Sequence, residues 1–352
     1  MFFPAIEKII RPETFVLVQQ AVLRSRMALF MLISCSGVLC SIYYAFFSRA
    51  FRREQRAVIS GILEQSARSA EGFSFFRLRR NIHRIEKGLV MKPRRDVFAL
   101  EYIGETVDFF EKCHKSACLE RHGEELQWAS DVLRVYFDNV GDHEIVRKAK
   151  TRFDAVCSTA ISGKVPYKRG EAAHPWTYEE FLALAQRRKA VRWFLPKPVP
   201  RELIDKALEA AALSPSACNR QPFIYRIFDD PVLVEKISAL PHGTMGFSSN
   251  IPVACALVGD LSAYLFERDR HTIYVDASLS AMTFMLALES VGLSSCPVNW
   301  PDIEAFEKQG ESVLKLKKHE RIIMFLAIGW ADPEGLVAYS EKKNLEQIRR
   351  YN

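Results

Sequence analysis

Residues 214–223 read SPSACNRQPF, and this stretch decides how the C-terminal half of the chain is interpreted. It joins a helical pattern at 201–212 to an apolar run at 223–228 that is typical of a strand. Small residues such as Ser216 and Ala217 let the backbone approach a flat ring closely, and the neighbouring hydroxyl and amide side chains offer hydrogen bonds. Taken alone, the stretch could equally be a plain helix–strand connector.

The elements around this loop predict a layered fold of helices and strands. Thr177 and Glu180 form a capping-box pattern for a helix that ends near Arg187. The stretch 274–291 is apolar nearly all round and is stopped by Gly292, so it predicts a helix buried on most faces. Further apolar runs predict strands at 252–258, 293–298 and 321–328. Strands that alternate with helices in this way favour an α/β or α+β fold.

A cationic segment precedes the loop. The sequence QRRKAVRWF at 186–194 places Arg188, Lys189 and Arg192 within five residues. Three neighbouring cations repel one another unless they are solvated or face an anion such as a phosphate. A solvated surface turn therefore remains an alternative to a phosphate site.

The N-terminal part contains a long apolar stretch, MALFMLISCSGVLCSIYYAFF, at 27–47. Its 21 uncharged residues, flanked by arginines, would span about 30 Å as one helix, which is the thickness of a bilayer core. The sequence therefore predicts a transmembrane helix, with an amphipathic helix or hairpin docked on the protein as the alternative. With this anchor we expect attachment to the inner or plasma membrane and a cytoplasmic catalytic domain.

Helical patterns fill the region between the apolar stretch and the loop. They occur at 96–116, with Asp96 as the expected N-cap, and at 121–139 and 143–160. A polar linker rich in Gly, Pro and Lys follows at 162–176. The predicted organisation is an N-terminal segment at 1–56, a helical module at 57–165 and a second domain at 166–352.

Composition and motifs exclude several classes of function. Apolar residues make up 49% and charged residues 26% of the chain, which favours packed globular structure over disorder. The excess positive charge is concentrated in 49–95, so the near-neutral C-terminal half is not expected to bind nucleic acid. The sequence has no GxGxxG after a strand, no P-loop and no HExxH. The eight cysteines form no CxxC pair, and no metal site is predicted.

Taken together and in this order, four segments resemble the nitroreductase family. They are RRKAVRWF, SPSACNRQPF, DASLSAMTFMLALESVGLSSCPV and IIMFLAIGW, and the resemblance covers roughly Tyr178 to Asn352. It implies a nitroreductase-like α+β fold with a mixed sheet flanked by helices. It also implies an FMN cofactor and a homodimer with both subunits contributing to each site.

The resemblance also assigns cofactor-binding positions. It implies that the basic segment and a late pair of lysines hold the FMN phosphate, and that the loop lies along the isoalloxazine ring. It places the segment after the central helix near the N5 atom of the ring. The implied residues are Arg188, Lys189, Ala190 and Arg192; Pro215, Ser216, Ala217 and Asn219; Pro297, Val298, Asn299 and Trp300; and Lys342 and Lys343.

The chemistry implied by the resemblance belongs to the flavin, and we name no catalytic side chain. NAD(P)H would donate a hydride, and a small-molecule acceptor would take up the electrons. Two departures from the family pattern stand out: Ala190 occupies a common serine position, and Asn299–Trp300 occupies a common Glu–Gly position, where a tryptophan would narrow or cap the cleft. A non-catalytic membrane or assembly protein that keeps the fold is the alternative function.

The segment NIHRIEKGLVMKPRR, at 81–95, resembles a subgroup of nitroreductase-like proteins that accompany polysaccharide-biosynthesis genes. With this resemblance the expected acceptor is an unidentified small molecule or a glycan precursor, with a role in polysaccharide biosynthesis. His83 and Glu86 are candidate site residues in this segment, although a helix-surface pair explains their spacing as well.

Overall fold

The computed structural model describes residues 12–71, 74–114, 119–157, 160–170 and 175–352. Its α-helices are α1 (Pro12–Ser34), α2 (Gly37–Ile42), α3 (Arg52–Glu71), α4 (Phe75–Val90), α5 (Ile103–His114), α6 (Leu119–Asn139), α7 (Glu144–Val156), α8 (Tyr178–Arg187), α9 (Arg201–Ala212), α10 (Pro231–Ser238), α11 (Thr272–Ser290), α12 (Glu304–Leu314) and α13 (Leu345–Ile348). Its strands are β1 (Phe223–Phe228), β2 (Val253–Asp260), β3 (Ser294–Asn299) and β4 (Glu320–Gly329). The chain divides into two compact units at Gln55/Arg56.

The apolar stretch at 27–47 does not form one continuous helix, so the predicted transmembrane helix is wrong. Helix α1 ends at Ser34, and the Ser36 side chain accepts a hydrogen bond from Leu39 N, which starts α2 as a new helix. A π-helical turn, Tyr43–Phe47, follows α2. Among the described residues, no helix has both the length and the hydropathy that crossing a membrane requires. The break at Ser36 divides the uncharged stretch, and α1 instead includes the polar residues before Met27.

In the second unit, helices α4 to α7 enclose a core of their own. Fully buried side chains from all four helices meet there, including Ile82, Phe110, Leu133 and Phe153. The Tyr136 hydroxyl donates to the Phe98 carbonyl at 2.7 Å, which fastens the 91–102 segment to α6. Each helix therefore buries one apolar stripe against the others, as expected for amphipathic helices.

The four strands form one sheet in the order β1-β2-β4-β3, with antiparallel pairing throughout. The expectation of a mixed sheet is therefore wrong. In the described part of the chain, parallel pairing is limited to one bridge, between Ala190 and Ser295. A bulge in β4, at Ile323, lies opposite Leu257 and Val258 of β2. The central strands β2 and β4 are buried on both faces, which explains their continuous apolar sequences.

Helix α11 packs against one face of the sheet and against α9. Its Phe284 and Leu288 lie in a cluster with Val253 and Cys255 of β2 and with Ala207 of α9. The alternate residues of β2, such as Ala254 and Ala256, lie in a cluster on the opposite face. The sheet is thus the middle layer of an α+β fold, with α11 as its central covering helix.

The predicted elements of the C-terminal half are confirmed with small shifts at their ends. Strand β1 has the predicted bounds, and the capping box of Thr177 and Glu180 is present at the start of α8. In the helical region, Asp96 is not an N-cap, because the helix begins only at Ile103 after an irregular segment. Residues 115–116, 158–159 and 171–174, which belong to two predicted helices and the predicted linker, lie outside the described residues. The division of the chain into three domains stays a prediction.

Gly88 provides a test of the packing in the helical region. A Cβ added at this position would overlap the Phe98 ring, which is held edge-on against Tyr136 at 5.1 Å between centroids. Overpacking of this kind costs about 1–3 kcal/mol, which exceeds the gain of roughly 1 kcal/mol from a better helix former. We therefore expect Gly88→Ala to lower the free energy of unfolding measured with urea.

Gly104→Ala is the matched control, because a Cβ at Gly104 of α5 would meet no atom within 4 Å. This control should keep or raise the stability, by up to about 1 kcal/mol. Equal stability of the two variants would contradict the close packing of α4 on Phe98.

Candidate functional site

The cationic segment lies extended beside the edge strand β3. Val191 N donates to the Ser295 carbonyl at 3.1 Å, and Ala190 pairs with Ser295 in the parallel bridge. Asn250 then fixes the end of the segment, since its side chain accepts from Phe194 N at 2.6 Å and donates to the Phe194 carbonyl at 3.0 Å. The backbone of this segment is therefore held in place without using its cationic side chains.

A buried carboxylate anchors the start of the same segment. Glu289, in the last turn of α11, accepts a hydrogen bond from Ser294 Oγ at 2.9 Å and lies 3.4 Å from Arg187 Nε. Burial raises the pKa of Glu289, while Ser294 and the arginines Arg187 and Arg188 oppose that shift. Glu289 thus connects the end of the central helix to the beginning of the cationic segment. The sequence interpretation missed it.

Two buried polar atoms in this region have no partner among the described residues. They are Arg188 Nε, in the cationic segment, and Ser295 Oγ, on the strand beside it. An unpaired buried donor costs roughly 1–3 kcal/mol, so such atoms call for an explanation. An anionic ligand with several acceptor oxygens would satisfy both.

The loop that follows α9 has an unusual backbone. Cys218, Asn219 and Gln221 all have positive φ angles, of 53°, 53° and 51°. Residues held in this region cost on the order of 1–3 kcal/mol each and persist where the surroundings fix them, which is common at ligand sites. Here Gln221 N donates to Ser216 Oγ at 3.1 Å, and Gln221 Nε2 donates to Asn219 Oδ1 at 2.9 Å.

A polar stripe on α11 positions this loop. Asp276 Oδ2 accepts from Ala217 N at 3.0 Å, Ser280 Oγ donates to the Ala211 carbonyl at 3.1 Å, and Thr283 Oγ1 accepts from Ser214 Oγ at 2.8 Å. The stripe was missed because α11 was interpreted as apolar nearly all round. Its signal is present in the sequence, since Asp276, Ser280 and Thr283 are spaced i, i+4, i+7 on one helix face.

The loop and the start of α11 line a cavity of about 410 Å³ that is open to solvent. Three of the sequence-predicted residues, Pro215, Ser216 and Ala217, line it together with Asp276 and apolar side chains of α11. Asp276 is only 3% exposed. Burial raises the pKa of Asp276, and hydrogen bonds from Ala217 and Tyr264 and the charge of Arg220 oppose the rise.

The predicted positions on β3 divide between the core and the surface. Val298 and Trp300 are buried, and the Trp300 indole donates to Glu307 and stands edge-on to Phe325 at 5.2 Å between centroids. The indole therefore belongs to the core and does not cap a cleft. Asn299 is exposed and Pro297 is half-buried, as expected for alternate residues of a strand.

The late lysines lie in an exposed C-terminal arm. Lys342 and Lys343 are exposed, in a C-terminal arm whose apolar side chains are also largely exposed, for example Leu336 at 91% and Tyr339 at 82%. The described residues show no contact between either lysine and Arg188, Lys189 or Arg192. The pairing of these lysines with the phosphate site stays a prediction.

The cationic segment and the loop are found at opposite ends of α11. The loop is held by Asp276, in the second turn of the helix, whereas the segment is held by Glu289, in its last turn. Thirteen residues separate the two carboxylates, which corresponds to about 20 Å along the helix axis. The anchors of the two segments therefore lie about 20 Å apart along one helix.

The C-terminal domain has an α+β fold, and its cationic segment lies beside the edge strand β3. Comparison with known proteins identifies the class to which this domain is similar. Residues 185–249 and 254–330 match the profile of the nitroreductase family. A putative NADH dehydrogenase/NAD(P)H nitroreductase of Methanothermobacter thermautotrophicus is 29% identical over 151 residues, which cover 42% of this chain and 75% of that protein. A 4-nitrobenzoate reductase of Pseudomonas putida is 26% identical over 209 residues, which cover 45% of this chain and 88% of that protein.

An FMN-dependent nitroreductase from Clostridium difficile R20291 superposes with a TM-score of 0.42 at 21% identity, over 49% of this chain and 99% of that one. The C-terminal region of this chain thus matches the nitroreductase family, and its named relatives support an oxidoreductase enzyme.

Asp276 gives a pH-dependent test of how the loop is held. Because its pKa in the folded protein is raised above the ordinary 3.8, its contribution to stability is greatest at low pH and is lost as the pH rises through the raised value. Asp276→Asn keeps an acceptor for Ala217 N without a buried charge. The variant should therefore gain stability relative to the wild type between about pH 4 and pH 8.

Urea unfolding of both proteins across this pH range measures the difference. Ser290→Ala, at the exposed end of the same helix, serves as a control whose difference from the wild type should not change with pH. A constant difference between Asp276→Asn and the wild type would contradict the raised pKa.

Proposed function

We propose that this protein is an FMN-dependent oxidoreductase that takes a hydride from NAD(P)H and passes electrons to a small-molecule acceptor. The observation that carries the proposal is a pair of unsatisfied buried atoms: Arg188 Nε in the cationic segment, whose backbone is already fixed, and Ser295 Oγ on the neighbouring strand β3. The match to the nitroreductase family supports the same class of reaction.

The residues of the cationic segment fit the phosphate of FMN. Arg188, Lys189 and Arg192 supply three cationic side chains, and a phosphate oxygen is a strong acceptor for guanidinium and hydroxyl donors. Arg192 also lies over the Phe247 ring, at 6.0 Å, and this contact limits its orientation. The positive charge would hold the phosphate, and the fixed backbone of the segment would keep that charge in position.

The loop at 215–219 fits the ring of the flavin. Its positive-φ backbone and its anchor on Asp276 hold small side chains and peptide groups at the mouth of an open cavity. When bound, FMN would supply hydride chemistry at its N5 atom. The protein would orient the ring, leave one face open to both reactants and stabilise negative charge with nearby N–H groups.

The separation of the two anchors supports a homodimer with shared sites. About 20 Å along α11 is longer than the ribityl chain that joins the ring of FMN to its phosphate. We propose that the cationic segment of one subunit and the loop of the other meet at each site. An exposed apolar face of α11, formed by Val275, Leu279 and Met282, would lie at the subunit interface.

Flavin chemistry alone does not specify which class of small molecule accepts the electrons. We propose glycan precursors as the first class to test, because the segment at 81–95 resembles that of nitroreductase-like proteins linked to polysaccharide biosynthesis. The placement of His83 supports no catalytic role for this residue: it pairs with Glu86 at 3.2 Å, and Glu86 also accepts from Trp128 Nε1 at 2.9 Å.

The phosphate site can be tested by removing its charges. Arg188→Ala combined with Lys343→Ala should weaken FMN binding at least about 100-fold, because each charge-assisted contact is worth roughly 1.5–3 kcal/mol. Fluorescence titration of the flavin-free protein with FMN measures the dissociation constant.

The matched control removes two cations from α7, with Arg147→Ala and Lys148→Ala, whose ion pairs are exposed. This control should bind FMN as the wild type does. If the first double variant also kept wild-type affinity, the assigned phosphate site would be wrong. A wild-type protein that takes up no FMN would favour the non-catalytic alternative.

The shared site can be tested by mixing two defective variants. Arg188→Ala removes a phosphate contact, and Ala217→Trp fills the loop cavity without touching the backbone hydrogen bond to Asp276. Neither homodimer should bind FMN tightly, but a mixed dimer contains one intact site. Random exchange of subunits should restore about a quarter of all sites, since half of the dimers are mixed and each has one good site.

The measurement is bound flavin per chain after the two variants are unfolded together and refolded, compared with each variant treated alone. If light scattering shows that dimers are present but mixing recovers no tight FMN sites, the result would contradict the arrangement of shared sites.

A further inference from the structure

A second cavity lies in the helical region, away from every residue of the predicted flavin site. It has a volume of about 580 Å³ and lies between the C-terminal part of α4 and the irregular segment at 91–102. Small-molecule sites occupy roughly 300–1,000 Å³, so this cavity is large enough for a metabolite. It involves the sequence NIHRIEKGLVMKPRR, to which the flavin chemistry assigns no role.

The cavity has an excess of positive charge. Arg84, Lys92 and Arg95 line it, and Glu101 is the one acidic residue among the described lining residues. Within the described ranges, none of these three cations forms an ion pair with a carboxylate. Their charges are therefore available to an anionic ligand.

Arg84 is held in a defined orientation. It is half-buried, and its guanidinium carbon lies 3.8 Å from the centre of the Tyr102 ring. Stacking on an aromatic face leaves the edge of a guanidinium free to donate hydrogen bonds in its plane. A solvated arginine would not need such an arrangement, whereas a binding residue gains from it because less conformational freedom is lost on binding.

The remaining wall is largely apolar. It is formed by side chains of the irregular segment and the end of α4, namely Met91, Pro93, Val97, Phe98 and Leu100. A ligand with one charged group and one apolar or aromatic part would match both halves of the wall.

We propose that this cavity binds a small organic phosphate, with the phosphate on Arg84, Lys92 and Arg95 and the organic part against the apolar wall. A phosphate monoester carries between one and a half and two negative charges near neutral pH, and it offers three acceptor oxygens, which suits three unpaired cations better than a carboxylate does.

Helix α4 connects this cavity to the loop of the flavin site. Arg84 lies one turn from Arg80, and the same helix contacts the Ala217–Asn219 turn. Burial lowers the pKa of Arg80, and repulsion by Arg84 and Arg220 lowers it further. A phosphate bound to Arg84 would offset part of this repulsion, so occupancy of the cavity stabilises the helix that supports the loop.

Calorimetric titration of the full-length chain with phenyl phosphate, in the presence of saturating FMN, tests the proposal. We expect one saturable site per chain, no comparable binding of phenol, and no release of FMN. Arg84→Gln and Arg95→Ala should each weaken phenyl phosphate binding roughly 10-fold or more.

Arg94→Ala is the matched control. Arg94 precedes Arg95 in the sequence and has the same charge, but it does not line the cavity, and it donates to Asn139 at 3.4 Å. It should leave the affinity within about twofold of the wild type. Arg95 is exposed and makes no ion pair with the described residues, so Arg95→Ala keeps the test valid even if Arg84→Gln were to misfold.

Three results would overturn the proposal. The first is the absence of saturable phenyl phosphate binding up to about 10 mM, which corresponds to negligible affinity. The second is an equal loss of phenyl phosphate affinity in Arg94→Ala and Arg95→Ala, and the third is displacement of FMN by phenyl phosphate. None of these depends on redox activity. The proposal can therefore fail while the flavin function stands, and the reverse also holds, because the same titration can be run on protein without FMN.

Discussion

The structure of the C-terminal region depends on the packing of α11 between the sheet and the solvent. One side of this helix is buried against β2, β3 and α9, and its buried residues include Ala277, Phe284 and Leu288. The burial of a large apolar surface on this side fixes the helix relative to the sheet. Polar residues at defined positions on the fixed helix then hold the two functional segments.

The length of α11 is therefore also a constraint on function. Asp276 fixes the loop near one end and Glu289 fixes the cationic segment near the other, so the two anchors lie about 20 Å apart along the helix. In the proposed dimer, the exposed apolar face between them would be the surface that a second subunit covers. Sequence comparison matches the C-terminal region to the nitroreductase family, and the separation of the two anchors is a physical argument for the proposed dimer.

Helix α4 of the helical region carries arginines that lie between the loop and the second cavity. Helix α4 contacts the turn that carries the loop, and it brings a row of arginines, Arg77, Arg80 and Arg84, to one face. Arg77 is neutralised by Glu105, at 2.5 Å, whereas Arg84 is stacked on Tyr102 and has no carboxylate partner among the residues described. Arg84 therefore keeps an unpaired positive charge at the cavity, which is what the proposed anion site requires.

Much of the C-terminal fold could be predicted from the sequence, because long apolar runs, a capping box and helix-stopping residues determine strands and helices locally. The polar stripe of Asp276, Ser280 and Thr283 was missed because its residues are few within an apolar helix, and their partners lie about 60 to 70 residues away in the chain. The burial of Trp300 could not be predicted because it depends on tertiary packing against Phe325 and Glu307, which local sequence does not reveal.

The transmembrane prediction failed for a different reason. Hydropathy over 27–47 carries no information on whether the helix is continuous, and the cap provided by Ser36 divides the stretch into shorter pieces. A homodimer with shared sites was expected only from the family resemblance, because local sequence patterns give no distance between two segments. The separation of their anchors along α11 adds a physical argument for the proposed dimer.

The stoichiometry and size of the flavin-loaded protein test the central claim most directly. Absorbance of bound FMN and multi-angle light scattering can be recorded on the same chromatographic peak of the full-length chain. The account predicts a particle of two chains that carries one FMN per chain. A monomer that retains one tightly bound FMN would contradict it, because one chain would then form a complete site despite the distance between its two segments.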